Sequence, residues 1–533
     1  MAATALESDR LREGGAEHAP AARRSRPWLL LGGSAAVAVV LALPLVFLFI
    51  EAAGSGVSTV SSLIFRSLTA TLLWNTVQLT AVVTLLCAII GVVLAWFVER
   101  TDLPGRRIWA VLVVIPLAIP DFVVSFGWSS ISTAITGFRG AVLVMTLAVY
   151  PLVYLPVAAS FRNADPGQEE AARSLGVGRV KTFVRITLGQ ARGAILGGCL
   201  LVALIMLSEY GAFEILGYQT FTTEIFTEFS VAFNVPAAAA LSLVLVVLSL
   251  VVLSAETTAR GRLRISRSGP LSQRQLPPHR LGAMKIPAVI GFTVFVGLAL
   301  GVPIGASIYW IDAGGQALLS GVSLLSALAS TVLFAAPAAA LAVLMALPVA
   351  LLAIRYPSRA HHALERSTYL VLAMPSLIAF AFSYFSEHYA NGFAYQTSPM
   401  LILAYAIIFF PLALVPLRAS VVQAPARLEE VGRSLGKGQI VVFCRVTLPL
   451  LAPGLAAGFC LVFLSAVTEL TATLILIPTG VQTLSTQFWA YETNLSYAQA
   501  APFALALIAI AAVPSYLLGR FFDRGHSRAR VAL

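Results

Sequence analysis

Apolar runs long enough to cross a bilayer recur along almost the whole chain, and no other feature narrows its fold as much. Uncharged stretches occupy 28 to 50, 70 to 98, 140 to 161, 231 to 255, 286 to 311, 322 to 354, 367 to 385, 397 to 417 and 499 to 519. A hydrocarbon core about 30 Å thick takes roughly 20 apolar residues per helix. Three further runs carry a carboxylate near one end: 108 to 128 with Asp121, 193 to 215 with Glu209 and Glu214, and 446 to 475 with Glu469. Twelve transmembrane helices are expected, hence an all-α integral membrane protein. With 59% hydrophobic and 11% charged residues and a mean hydropathy of +0.88, the 533-residue chain is more apolar than soluble domains require.

The first run is too long for the core of a signal peptide and is followed by no convincing small-residue cleavage site, so it is expected to be a retained helix behind a polar tail. Cys87, Cys199, Cys444 and Cys460 lie in or beside predicted spans without metal-ligand or redox spacing, which argues for packing roles rather than disulfides or zinc. His361 and His362 are expected as a solvated pair in a polar loop.

The positive charges orient the chain. If the N-terminal tail is inside, the tail, the loops near 99 to 107, 162 to 192, 256 to 285, 355 to 366 and 418 to 445, and the end 520 to 533 hold 33 of the 35 Lys and Arg, leaving only Arg66 and Arg139 outside. Cytoplasmic loops collect Lys and Arg in this way. The formal charge of +11 is therefore read as a topology signal. Nucleic-acid binding is not expected, because the basic residues are spread over separate loops instead of forming one patch.

The chain also repeats itself. "EEAARSLGVGRVKTFVRITL" at 169 to 188 returns as "EEVGRSLGKGQIVVFCRVTL" at 429 to 448, with 11 of 20 positions identical. A shift of 260 also pairs Pro151 with Pro411, Pro156 with Pro416 and Glu209 with Glu469, and a shift of 255 pairs Thr76 with Thr331 and Pro120 with Pro375. Six spans on either side of a basic, Pro-bearing linker give two halves of the same orientation, related by an axis along the membrane normal. The expected division is a tail at 1–27, a first half at 28–255, a linker at 256–285, a second half at 286–520 and a tail at 521–533.

In each repeated segment the carboxylates Glu169 and Glu170, or Glu429 and Glu430, precede Arg173 or Arg433, Leu175 or Leu435, and a Gly-x-Gly pair, Gly176 and Gly178 or Gly436 and Gly438. A short polar helix is expected to stop at the first glycine and a second to restart after it, both at the membrane surface. Val180, Phe183, Val184 and Leu188 recur at helical spacing and would present an apolar face to the bundle or to a partner.

This pattern, Glu-Ala-Ala, three residues, Gly, nine residues, Ile, one residue, Leu-Pro, resembles the signature loop of permease subunits in binding-protein-dependent ABC importers. The first copy carries Glu170, Ala171, Ala172, Gly176, Ile186 and Leu188, with Gly189 in place of the proline; the second carries Glu430, Gly436, Leu448 and Pro449, with Val431, Gly432 and Val446 replacing the alanines and the isoleucine. The resemblance covers roughly 60 to 520. It implies a type I importer permease of two parallel six-helix repeats, fused in one chain, in the bacterial cytoplasmic membrane with both termini inside. Each loop would seat a coupling helix on one of two ABC ATPase subunits, with Glu170 or Glu430 as charged anchor and the Gly-x-Gly pair as hinge. ATP and magnesium would be used by those subunits, with no cofactor bound to this chain, and an extracytoplasmic solute-binding protein would deliver the solute. "GRSLGKG" at 432 to 438 has one residue too few between its glycines for a phosphate loop and no Ser or Thr after Lys437.

The fusion of two halves, with stretches such as "LGYQTFTTEIF" and "FLSAVTELTATLILIPTG", resembles the iron(III) branch of these importers, with thiamine, polyamine and phosphonate machinery as alternatives. A hard trivalent cation prefers oxygen ligands, and carboxylates inside a membrane usually face a cavity. Glu209 with Glu469, and Tyr210, Asp121 and Glu214 at similar depth, are candidates for a weak acidic path without a stable metal site; the competing role is to cap helix ends. Glu224, Glu228, Glu387 and Glu492 are expected to meet the binding protein or water. An ion-coupled secondary transporter would share the span count but gives no reason for the paired loops, and no nucleophile or HExxH motif points to an enzyme.

Overall fold

The computed structural model describes residues 28–164, 166–261, 278–315, 321–356, 381–382 and 396–512. Lipid offers no partner for a backbone N–H or C=O, so apolar runs must form helices that satisfy those groups internally. Every regular element among the described residues is helical, and Thr101 and His279 add one isolated bridge.

The first half begins with α1 (Trp28–Gly54), a short α2 (Val57–Ile64) and α3 (Ser67–Arg100). At 1.5 Å per residue α3 is about 50 Å long, longer than a bilayer core about 30 Å thick, and it ends at Arg100. There follow α4 (Arg106–Leu112), α5 (Asp121–Ser129), α6 (Gly137–Val149), α7 (Pro151–Arg162), α8 (Pro166–Ser174), α9 (Val180–Ser208), α10 (Gly211–Ile215), α11 (Phe221–Ser230) and α12 (Val235–Gly261). α12 continues past residue 255 into the stretch expected as linker. The second half holds α13 (Gly282–Gly314), α14 (Gly321–Arg355), α15 (Ser398–Ile408), α16 (Phe410–Gln423), α17 (Ala426–Ser434), α18 (Gln439–Val467), α19 (Thr471–Leu476), α20 (Leu484–Thr493) and α21 (Tyr497–Ala512).

Among the described residues eight helices are long and apolar enough to cross a bilayer, or ten if each of two bent pairs is one span. These ten correspond to ten of the twelve expected spans. Of the others, 367 to 385 lies outside the described residues except for 381–382, and 499 to 519 is described to residue 512, within α21.

Three expectations need correction. The run 108 to 128 is not one straight span: Arg106–Ala118 and Asp121–Ser129 meet at 92°. Pro120 has no N–H to donate and drives Ile119 into an extended conformation, ψ 127°, so the helix stops and restarts at Asp121. The runs placed at 193 to 215 and 446 to 475 lie closer to the repeated loops, at Val180–Ser208 and Gln439–Val467. Accordingly the second surface helix expected at 179 to 188 does not exist as a separate element. A π-turn at Phe183–Thr187, repeated at Phe443–Thr447, joins it to the span.

Within each half α3, α7 and α9, or α14, α16 and α18, pack as a triangle. Small residues permit the close crossings: a methyl added at Gly198 would stand 2.7 Å from Val153 Cα, one at Gly91 would stand 2.9 Å from Tyr154 N, and one at Gly458 would stand 3.2 Å from the Ala413 carbonyl. The first helix of each half reaches across to the other half. α1 packs on α14, with Gly33 against Pro348, and α13 packs on α5, where Pro303 lies over Gly127.

Candidate functional site

Two groups of residues are placed at opposite ends of α9 and α18: the repeated loops at their starts, and the membrane carboxylates beyond their last turns.

In each loop the polar helix ends as the glycine requires. Gly176 has φ +78°, its N–H donates to the Arg173 carbonyl at 3.0 Å, and Val177 N–H donates to the Ala172 carbonyl at 3.0 Å. Gly436, φ +76°, repeats this with Arg433 at 2.9 Å, and Lys437 reaches Gly432 at 3.3 Å. This is the paired closure that satisfies the last carbonyls of a helix and puts a glycine in the left-handed region. Gly178 and Gly438 do not share the requirement: Gly438 has φ −64°, neither is left-handed, and open space surrounds both. Of each Gly-x-Gly pair expected to act as a hinge, only the first glycine occupies the left-handed region.

The carboxylates divide by direction. Glu169 and Glu429 are buried, whereas Glu170 and Glu430 are exposed. Glu169 accepts a hydrogen bond from Thr187 at 2.9 Å and pairs with Arg100; Glu429 accepts from Thr447 at 2.5 Å, pairs with Arg355 and lies 4.0 Å from Arg433. Inside the fold these contacts fasten Glu169 and Glu429, while Glu170 and Glu430, expected as the charged anchors, are exposed. Burial alone would raise the Glu429 carboxyl, but the hydrogen bonds from Arg355 and Thr447 and the charges of Arg355 and Arg433 hold it below the usual range. The sequence reading missed Arg100 and Arg355. They were traceable, because they stand at the same 255-residue shift as Thr76 and Thr331.

With the acids turned in, the loops turn apolar side chains out. Leu175 is 83% exposed and Val180 78%; Leu435 is 72% exposed and Ile440 79%. Arg173 and Arg433 are exposed beside them. Each half thus presents a basic, greasy ridge at the same end of the bundle.

At the other end α9 stops where Glu209 turns extended, ψ 134°. Glu209 Oε1 accepts from Ala212 N–H at 2.8 Å, and the Glu209 carbonyl accepts from Thr222 Oγ1 at 2.5 Å. Glu469 accepts from Ala472 N–H at 3.0 Å, and its carbonyl accepts from Thr473 Oγ1 at 2.8 Å. Both carboxylates cap the short helix that follows, α10 or α19, so the helix-capping role is present in both halves.

The two breaks meet. A methyl on Gly211 would stand 2.6 Å from Leu470 and 3.1 Å from Phe122, which sets Glu209, Glu469 and the first turn of α5 around one point. Asp121 interacts electrostatically with Glu209, and Glu209 with Glu469. Tyr210 is buried, stacked on Phe226 at 4.2 Å and against Trp489 at 5.6 Å, while Glu214 is exposed. Aromatic rings close the layer between halves: Phe488 lies 5.3 Å from Phe122 and 5.4 Å from Phe126. Among the described residues no group of three or more His, Cys, Asp or Glu side chains is placed to hold a metal ion.

The outer carboxylates correct another expectation. Glu228 is buried and pairs with Arg66 at 2.9 Å, with Glu224 3.8 Å from the same guanidinium; Glu492 is also buried. Glu387 lies outside the described residues. The threonines matched in the repeat hold these outer helices, since Phe221 N–H donates to Thr76 Oγ1 at 3.2 Å and Leu484 N–H to Thr331 Oγ1 at 2.9 Å.

Comparison with known proteins adds an independent line. The sequence profile of the family described as "Binding-protein-dependent transport system inner membrane component" matches twice, at residues 88–264 and 338–530. The chain is 38% identical over 490 residues to the Fe(3+)-transport system permease protein FbpB 2 of Haemophilus influenzae, covering 91% of this chain and 96% of that protein. It is 22% identical over 448 residues to the ferric transport system permease protein FbpB of Actinobacillus pleuropneumoniae, covering 76% and 64%. With the sulfate transport system permease protein CysW of Escherichia coli it shares 26% over 205 residues, 36% of this chain and 70% of the other.

Proposed function

Because the chain belongs to the family of inner membrane components of binding-protein-dependent transport systems, we propose that it is the fused permease of an ATP-driven importer that moves iron(III) delivered by an external binding protein. The multi-pass membrane protein carries no ATPase of its own in this reading. Two ABC ATPase subunits would bind ATP and magnesium and dock on the two exposed ridges, which puts the loops and both termini in the cytoplasm. The single observation that carries the proposal is the duplicated anchor: Glu169 with Arg100 and Thr187, and Glu429 with Arg355 and Thr447, each holding a short helix rigidly to the bundle while Leu175 and Leu435 project from it. A partner that pushes on such a helix moves the span behind it, because Glu169 is bonded to Thr187 of α9 and Glu429 to Thr447 of α18.

The proposed path runs along the axis between the halves, past Asp121, Glu209 and Glu469. These oxygens suit a hard cation in passage, and Glu209 and Glu469 already serve helix ends, which keeps any site there weak. Tyr210 and Glu214 flank the path without facing it together. Iron(III) as solute rests on the Haemophilus influenzae relative, whose match covers 91% of this chain and 96% of that protein.

The test of the docking reading is Gly176→Asp with Gly436→Asp. The double variant is expected to insert normally but to lose both copurification of the ATPase and ATP-dependent uptake. Unchanged copurification and uptake would remove the coupling role from these loops.

A further inference from the structure

The stretch just before α13 is fastened to the first half at the foot of α3. Asp102 N–H donates to the His279 carbonyl at 3.1 Å, and His279 N–H returns a bond to the Arg100 carbonyl at 2.8 Å. The Asp102 carboxylate then closes the clasp: one oxygen accepts from Leu281 N–H at 2.8 Å, the other pairs with Lys285 Nζ at 2.8 Å. These contacts hold the Asp102 carboxyl below the usual carboxylate range, the Lys285 hydrogen bond contributing most.

The position of the clasp matters more than its strength. The last carbonyls of a helix have no partner within it, and here the backbone N–H of His279 supplies one to the residue whose guanidinium grips Glu169. The ring of Trp96, one turn earlier, is centred 6.2 Å from that of His279 and 6.0 Å from that of Phe183, so the same helix end meets the segment that follows the first loop. Phe97 lies 6.0 Å from Phe292 of α13. Farther along, α13 packs on α5 through Pro303 and Gly127, and α5 begins at Asp121. A continuous set of contacts therefore leads from the first loop to the axis by way of a helix that belongs in sequence to the other half.

We propose that Asp102 is a positioning residue for transport: by holding Leu281 and Lys285 it makes α13 move as one body with the Arg100–Glu169 anchor, so that displacement of the first loop reaches α5 and the axial carboxylates. The inference rests on the permease reading above. It predicts that loosening the clasp wastes ATP rather than unfolding the protein, since α3, α8 and their own ion pair stay in place.

The measurement is iron(III) taken up per ATP hydrolysed by proteoliposomes containing the whole transporter, normalised to inserted protein. Asp102→Ala and Lys285→Ala are each expected to lower this ratio about fivefold or more, and Asp102→Lys combined with Lys285→Asp is expected to restore the part carried by the ion pair, because a lysine at 102 cannot accept from Leu281 N–H. A purely structural role would reduce the amount of inserted transporter without changing the ratio. Parent-like ratios in both single variants overturn the proposal; should Asp102→Ala fail to insert, Lys285→Ala, at a half-exposed side chain, decides alone. A parent complex that hydrolyses ATP without any response to the iron-loaded binding protein would instead overturn the permease reading on which the clasp depends.

Discussion

Glu429 shows how much one side chain decides at the loops. Its carboxylate is acceptor for Thr447 and ion partner of Arg355, so Glu429→Gln keeps the shape but leaves a guanidinium without its counter-charge. The expected cost is roughly 1–3 kcal/mol, read as a lower denaturation temperature of the purified complex and weaker retention of the ATPase. The pH dependence has a definite sign. The folded carboxyl sits below its unfolded value, so its contribution is fully present above about pH 4.5 and is lost as pH falls through the lower folded value. Glu429→Gln should flatten that part of the stability curve, and an unchanged acid slope would contradict the anchor. The glycines offer a sharper contrast. Gly436→Ala meets no atom but must adopt φ +76°, costing about 1 kcal/mol, whereas Gly438→Ala, at φ −64° in open space, should be close to neutral. Equal losses at the two positions in a denaturation series would refute the assignment of the turn.

Helix crossings set the next scale. Gly198 and Gly458 occupy the same place in the two halves, each against the backbone of α7 or α16. Gly198→Ala is expected to cost roughly 1–3 kcal/mol through overpacking, while Gly193→Ala on the same helix, with nothing within 4 Å, should leave stability unchanged; detergent-titration unfolding separates them. Hydropathy located most of these helices because lipid leaves an apolar run little alternative. It failed where backbone geometry, not polarity, ends a helix. Asp121 looked like an interruption near the end of a span, yet Pro120 breaks the helix and Asp121 starts the next one. Glu209 and Glu469 looked like charges inside spans, yet they stand just after the last turn, bonded to the N–H groups of Ala212 and Ala472. Carboxylate capping reads in a hydropathy profile as a buried charge.

At the scale of the whole molecule the repeat was legible and the interlocking was not. A shift of 260 residues revealed both loops and the pairing of Glu209 with Glu469, since identities at fixed spacing need no structure. That α1 lies on α14 and α13 on α5 follows from surface shape, with Gly33 under Pro348 and Gly127 under Pro303, and no periodicity announces it. The exchange matters for mechanism, because neither half can shift without dragging the first helix of the other. The direct test of iron(III) import is uptake of labelled iron(III) into proteoliposomes holding this chain, its ATPase and its binding protein, with ATP supplied on the side of the loops and thiamine as competitor. ATP-dependent accumulation of iron that thiamine does not reduce is the predicted result; absence of ATP-dependent accumulation of iron, with the complex intact and its ATPase active, would contradict it.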